Sequence, residues 1–157
     1  MASRASTTAA EPGAPGGPGV VLFDGVCNFC NRSINSIMDR DPGHAFRFAA
    51  LQSPAGQRLL REYGAPPEAR GLDSVVLIED GQVFTHSDAA MRIAAKLRGF
   101  LPRLAAVGRI IPRPLRDAAY SLVARNRYRL LGQREACRLP TAEDRARFLE
   151  GSCSVTS

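Results

Sequence analysis

Tryptophan is absent from this 157-residue chain, histidine occurs only twice, and aromatic residues make up 6%. So few flat side chains leave no stacking platform for single-stranded nucleic acid, and no duplex-recognition motif is present. Nucleic acid is therefore not expected as a partner. Lysine is nearly missing as well. Lys96 stands alone, so arginine carries almost all the positive charge behind a formal net charge of +6. Such a balance permits contact with anionic partners without naming one.

Long apolar runs are also lacking. The best candidate, residues 100–111, is broken by Pro102, Arg103 and Arg109 and is too short to span a bilayer. The first ten residues hold one arginine and no apolar block, unlike a secretory signal. The cytoplasm is the expected compartment. Structural disulfides are rare there, so Cys27, Cys30, Cys137 and Cys153 do not read as a stapled framework. A second close ligand pair is missing too. Zinc needs four converging ligands, and His44, His86, Cys137 and Cys153 are scattered. No metal and no organic cofactor is expected.

What is present is the composition of an ordinary globular domain, 45% hydrophobic and 23% charged. Residues 1–18 are rich in Ala, Ser, Thr, Gly and Pro and read as a disordered tail. Val20-Val21-Leu22-Phe23 is a continuous apolar run stopped by Asp24-Gly25, the pattern of a buried strand ending in a turn. From about Cys27 to Asp39, apolar residues at Cys30, Ile34, Ile37 and Met38 recur at helical spacing. Residues 46–51 read as a second strand, and Ser53-Pro54 as the cap and first position of a second helix. Two β-rich runs, 73–78 and 82–85, flank Asp80-Gly81, a strong hairpin signal. Ser87 reads as the cap of a third helix. The order over residues 19–98 is β-α-β-α-β-β-α, an α/β arrangement of thioredoxin-like type. Residues 99–150 read as a helical extension packed on the same domain. Pro114 opens its long helix, and Thr141 with Asp144 caps a last helix running to Glu150. Residues 151–157 read as a flexible tail.

Cys27-Asn28-Phe29-Cys30 stands where a buried strand turns into a helix, and that placement says more than the spacing. Disulfide exchange needs a thiolate attacker. The first turn of a helix offers unpaired N–H groups and the positive end of its dipole, which stabilise one. Cys27 is assigned as nucleophile. Cys30, read as one turn deeper on the apolar stripe, is assigned as the resolving thiol. Asp24 has two readings of equal weight: a carboxylate that takes the proton of Cys30, or a turn residue that shapes the connection. Cys27 and Cys30 themselves have blander readings, half a zinc site or two small buried residues.

The run Val21-Leu22-Phe23-Asp24-Gly25-Val26-Cys27-Asn28-Phe29-Cys30-Asn31 resembles the signature of the DCC family, thiol-disulfide oxidoreductase-like proteins named for that Asp, Cys and Cys. Phe46-Arg47-Phe48-Ala49, Leu51-Gln52-Ser53, Ser87-Asp88-Ala89 and Asn126-Arg127-Tyr128-Arg129 resemble later blocks, so the similarity covers about residues 19–149. The resemblance implies a thioredoxin-like fold, thiol-disulfide exchange, and Asp24, Cys27 and Cys30 as motif residues. Thioredoxins carry a cis-proline before the first hairpin strand. Asp73-Ser74 stands in that place here, so substrates are gripped differently.

The expected activity is therefore thiol-disulfide oxidoreduction by a cycling Cys27–Cys30 pair. Its partners are a protein or small-molecule disulfide and an electron donor that regenerates the dithiol. Cys137 lies between Arg134 and Arg138 and reads as an idle thiol more readily than as a third redox group. Arg103, Arg109, Arg113, Arg116, Arg125, Arg127 and Arg129 read first as a solvated helix face. Their functional alternative is a non-catalytic adaptor binding a partner or an anionic membrane surface.

Overall fold

The computed structural model describes residues 11–25, 28–70, 75–131 and 146–149. Strand β1, Gly19–Phe23, is the apolar run next to the cysteine motif, and all five of its residues are buried. It pairs in parallel with β2, Phe46–Ala50, and antiparallel with β3, Val76–Glu79. Strand β4, Gln82–Thr85, closes the sheet against β3, giving the order β2-β1-β3-β4. A central strand covered on both faces needs apolar side chains at every position rather than alternation. Asp80 and Gly81 both take positive φ, 50° and 75°, as a tight hairpin turn requires.

Helices cover both faces. Helix α1, Asn28–Asp39, and α3, His86–Lys96, bury Ile34, Met38, Ala89 and Ile93 against Val21, Phe23, Phe46, Phe48 and Leu77. Helix α2, Pro54–Glu62, buries Leu59 and Leu60 on the other face, against Val20, Leu22, Val76 and Ile78. Ser53 caps α2 as its sequence demands, its hydroxyl accepting from the Gly56 N–H at 3.0 Å. Gly56 allows α2 to lie hard against β2, since a Cβ there would stand 2.2 Å from the Ala50 carbonyl oxygen. Helices α4, Leu101–Gly108, and α5, Arg113–Leu131, follow, with α4 packed on α3 and α5 on α3 and α1. Strand order, strand directions and helix placement together make this a thioredoxin-like α/β fold.

Three readings of the sequence are corrected. Residues 11–18, assigned to a disordered tail, turn back onto the hairpin, where Gly81 N–H donates to the Gly13 carbonyl at 2.8 Å. The Tyr63 hydroxyl meets the Pro12 carbonyl at 3.5 Å. Burial, helped by the Glu62 and Glu11 carboxylates, raises the Tyr63 pKa above its ordinary value. Ser87 is no cap: Thr85 holds that position, and the buried Ser87 hydroxyl donates to Asp117 of α5. With β4 running straight into α3, the helix begins at His86, so Ser87 is its second residue and lies past the cap.

The third correction concerns the last helix, read as running to Glu150. Residues 146–149 are not helical. Phe148 forms a parallel bridge with Phe48, flanked by Phe48 N–H to Arg147 carbonyl and Leu149 N–H to Phe48 carbonyl bonds, each 2.9 Å. The free edge of β2 needs partners for its backbone groups, and this segment supplies them. Phe148 also packs edge-on to Phe23, with centroids 6.2 Å apart. Residues 141–145, including Thr141 and Asp144, lie outside the described residues, as do Asp73, Ser74, Cys137 and Cys153.

Arg147 clamps this return. Its guanidinium pairs with Asp41, and both side chains are buried. The Asp41 carboxylate also accepts from the N–H groups of Ala45, at 3.0 Å, and Phe46, at 3.2 Å. Removing one partner of a buried ion pair strands the other. Arg147→Ala should therefore cost about 3–5 kcal/mol in denaturant unfolding. The exposed Arg103→Ala should stay within about 0.5 kcal/mol. Equal effects of the two would show that the clamp does not hold the edge.

Candidate active site

The parallel register sets Phe23 opposite Ala50, so the loops leaving β1 and β2 start side by side at the carboxyl end of the sheet. Leu51 N–H donates to the Phe23 carbonyl at 2.8 Å and extends that pairing one step. Asp24 follows Phe23 and is only 1% exposed. A carboxylate so deeply placed must be hydrogen-bonded. Gln52, leaving β2, supplies a donor: its Nε2 meets Asp24 Oδ1 at 2.7 Å. The other end of the same amide is used too, since Gly25 N–H donates to Gln52 Oε1 at 3.2 Å. That bond sets the amide's orientation, so its nitrogen must face the carboxylate.

Cys30 lies on the neighbouring helix. Sequence periodicity puts it one turn deep, but α1 begins at Asn28, so Cys30 is in the first turn. It is half-buried and packs against the core cluster containing Phe23 and Ile34. Cys30 and Asp24 line the same groove, a cavity of about 660 Å³ whose walls also include Phe23, Ile37 and Val75. Helix α5 closes one side, where Tyr120 accepts from the Val75 N–H at 2.8 Å. Cys27 precedes the first residue of α1 in the sequence and lies outside the described residues. Of the three motif residues, the fold thus brings Asp24 and Cys30 to one cavity. His86 is elsewhere, edge-on to the Tyr120 ring, and His44 sits in the turn before β2 with positive φ. Among the described residues, no three His, Cys, Asp or Glu side chains converge as a metal site would require.

Sequence reasoning does not single out Gln52 as a site residue. It lies 28 positions from Asp24, and only the strand register makes them neighbours. The available signal is weak: a polar residue directly after a buried strand, at the same end of the sheet as the motif. The bond makes a direct claim about stability. Gln52→Leu removes the donor to a buried carboxylate and the acceptor for Gly25, and should cost about 1–3 kcal/mol in denaturant unfolding. A loss below about 0.5 kcal/mol would mean that other contacts hold Asp24.

The family model described as DCC1-like thiol-disulfide oxidoreductase matches residues 21–133. The uncharacterized protein YuxK of Bacillus subtilis (strain 168) is 45% identical over 130 residues, which is 83% of this chain and 93% of that protein. A chloroplastic DCC family protein of Arabidopsis thaliana is 38% identical over 120 residues, 76% of this chain and 69% of its own length. No solved structure gives a significant match.

Proposed function

Because this chain belongs to the DCC1-like thiol-disulfide oxidoreductase family, we propose that it performs thiol-disulfide exchange by cycling Cys27 and Cys30 between dithiol and disulfide. The observation that carries this reading is the meeting of Cys30, in the first turn of α1, and the buried Asp24 at one groove. Helix N–H groups that no carbonyl of the helix satisfies stabilise the thiolate that Cys30 must become in the resolving step. Family membership supports the same chemistry.

The steps balance without a cofactor. The Cys27 thiolate attacks one sulfur of a substrate disulfide, forming a mixed disulfide and expelling the other sulfur as a thiolate. Cys30 then gives up its proton and attacks Cys27 Sγ. The S–S bond to the substrate breaks, the second substrate sulfur leaves as a thiolate, and the Cys27–Cys30 disulfide remains. The substrate has gained two electrons and the protein has lost two. A dithiol donor reverses the change by the same route. Asp24 is proposed to receive the Cys30 proton, its carboxylate held in place by Gln52. The cytoplasm suits such a cycle, since thiols there are kept reduced. A protein or small-molecule disulfide is the proposed substrate. The competing reading is a non-catalytic adaptor that uses the exposed surface of α4 and α5, and it requires no redox turnover at all.

Thiol trapping across a graded redox buffer separates the two. The oxidoreductase has a Cys27–Cys30 disulfide that forms and opens reversibly, whereas an adaptor has none. On the proposed roles, Cys27→Ser abolishes exchange and Cys30→Ser accumulates mixed disulfide. The half-buried Cys30 should alkylate roughly ten-fold more slowly than Cys27 near neutral pH. A faster Cys30 would reverse the assignment.

Asp24→Asn tests the proton transfer separately. It keeps the shape and removes the titrating group, so resolution of the mixed disulfide should slow roughly ten-fold while Cys27 still alkylates. An unchanged rate from about pH 6 to 9 would leave Asp24 as a turn-building residue only.

A further inference from the structure

The groove that holds Cys30 is far larger than two sulfur atoms need. Its outer walls are Leu104, Val107 and Ile111 from the α4 side and Leu115, Ala119 and Val123 from α5. Five of these are large apolar side chains, and they remain between 45% and 62% exposed. Large apolar groups that converge on one opening and stay this exposed are the mark of a binding groove. At about 660 Å³ the space is in the range that takes a small molecule.

A second cavity, of about 320 Å³, adjoins the first, and Met91 and Arg116 line both. Its chemistry is opposite. Arg92, Arg109 and Arg116 meet there, with Asp88 as the single carboxylate. That carboxylate is already divided between Arg113, at 3.0 Å, and Arg116, at 3.3 Å. The Nε of Arg116 is buried and has no hydrogen-bond partner among the described residues. Arg92 lies over the Phe84 ring, 3.7 Å from its centroid, with the Glu79 carboxylate 3.8 Å away and itself shared with Lys96. Positive charge is thus in excess at one end of an apolar groove. Guanidinium groups match a carboxylate in both charge and geometry.

We propose that the two cavities form one site for an amphipathic anion, a carboxylate on a long unbranched apolar chain. The head lies among Arg92, Arg109 and Arg116, and the chain lies along the groove between α4 and α5. Because Cys30 lines the same groove, an occupied site shields it from thiol reagents. The ligand enters as a single molecule, not as part of a bilayer.

Calorimetric titration of the full chain with laurate, kept below its micelle concentration, tests this. Binding should be one to one and should tighten roughly two- to four-fold per methylene from octanoate to laurate. Dodecanol, with the same chain and no charge, should bind at least ten-fold more weakly. Arg109 is exposed, so Arg109→Glu leaves the fold intact. It should weaken laurate ten-fold or more and leave dodecanol unchanged. Leu104→Asn with Val107→Asn, also at exposed positions, should weaken both ligands. Saturating laurate should slow alkylation of Cys30 at least five-fold. Repeating the titration in Cys30→Ser keeps the result independent of the redox reading, since binding should persist there. Equal affinity for laurate and dodecanol, or no loss in Arg109→Glu, overturns the proposal. So does binding confined to micelles or to vesicles of anionic phospholipid, which would make this face a membrane-docking surface instead.

Discussion

The parallel pairing of β1 with β2, in the register that sets Phe23 opposite Ala50, brings together two loops that lie 27 residues apart in the chain. Gly25 and Gln52 meet because of it, and through Gln52 the carboxylate of Asp24 finds its donor. Had the register slipped by one residue, every β2 side chain would change faces. Phe46 and Phe48 would then leave the layer they form with Val21 and Phe23. The hydrophobic demand of β1 therefore does two things at once. It fixes the sheet, and it sets Asp24 and Gly25 beside Gln52.

Two buried carboxylates show how the chain handles charge in its interior. Asp41 is neutralised by Arg147 and by two backbone N–H groups, and it ties the return segment to the β2 edge. Asp24 instead takes an amide donor whose orientation is set by a backbone N–H. An ion pair suits a structural clamp, because separating it strands a charge. An amide donor fixes position without adding an opposite charge to the cavity that Cys30 lines. The two acidic residues are similar in sequence, each just ahead of a turn, yet the fold gives them different surroundings.

Helices α4 and α5 place the remaining surface. Tyr120 and Asp117 of α5 are fastened to Val75 and Ser87, so this helix is docked on the sheet side by polar contacts. Leu104 and Val107 of α4 and Leu115 and Val123 of α5, all exposed, line the groove. Cys30 lines the same groove, so a molecule occupying it would cover this thiol.

Much of this was legible in the amino-acid sequence. The strand–helix order, the Asp80-Gly81 turn, the Ser53-Pro54 cap and the seating of the cysteine motif after β1 all follow from short-range rules. Local periodicity states which face of an element is buried, and turn and cap residues act within a few positions. The tertiary structure alone decided the rest. It turned Ser87 from a cap into a tether and made Phe148 part of a β-bridge rather than a helix. It joined Gln52 to Asp24, and set Arg92, Arg109 and Arg116 around one cavity beside the apolar groove. These outcomes share a cause. A buried polar group or an open strand edge must find a partner, and compact packing lets that partner come from anywhere in the chain. Sequence spacing holds no record of which distant residue it will be.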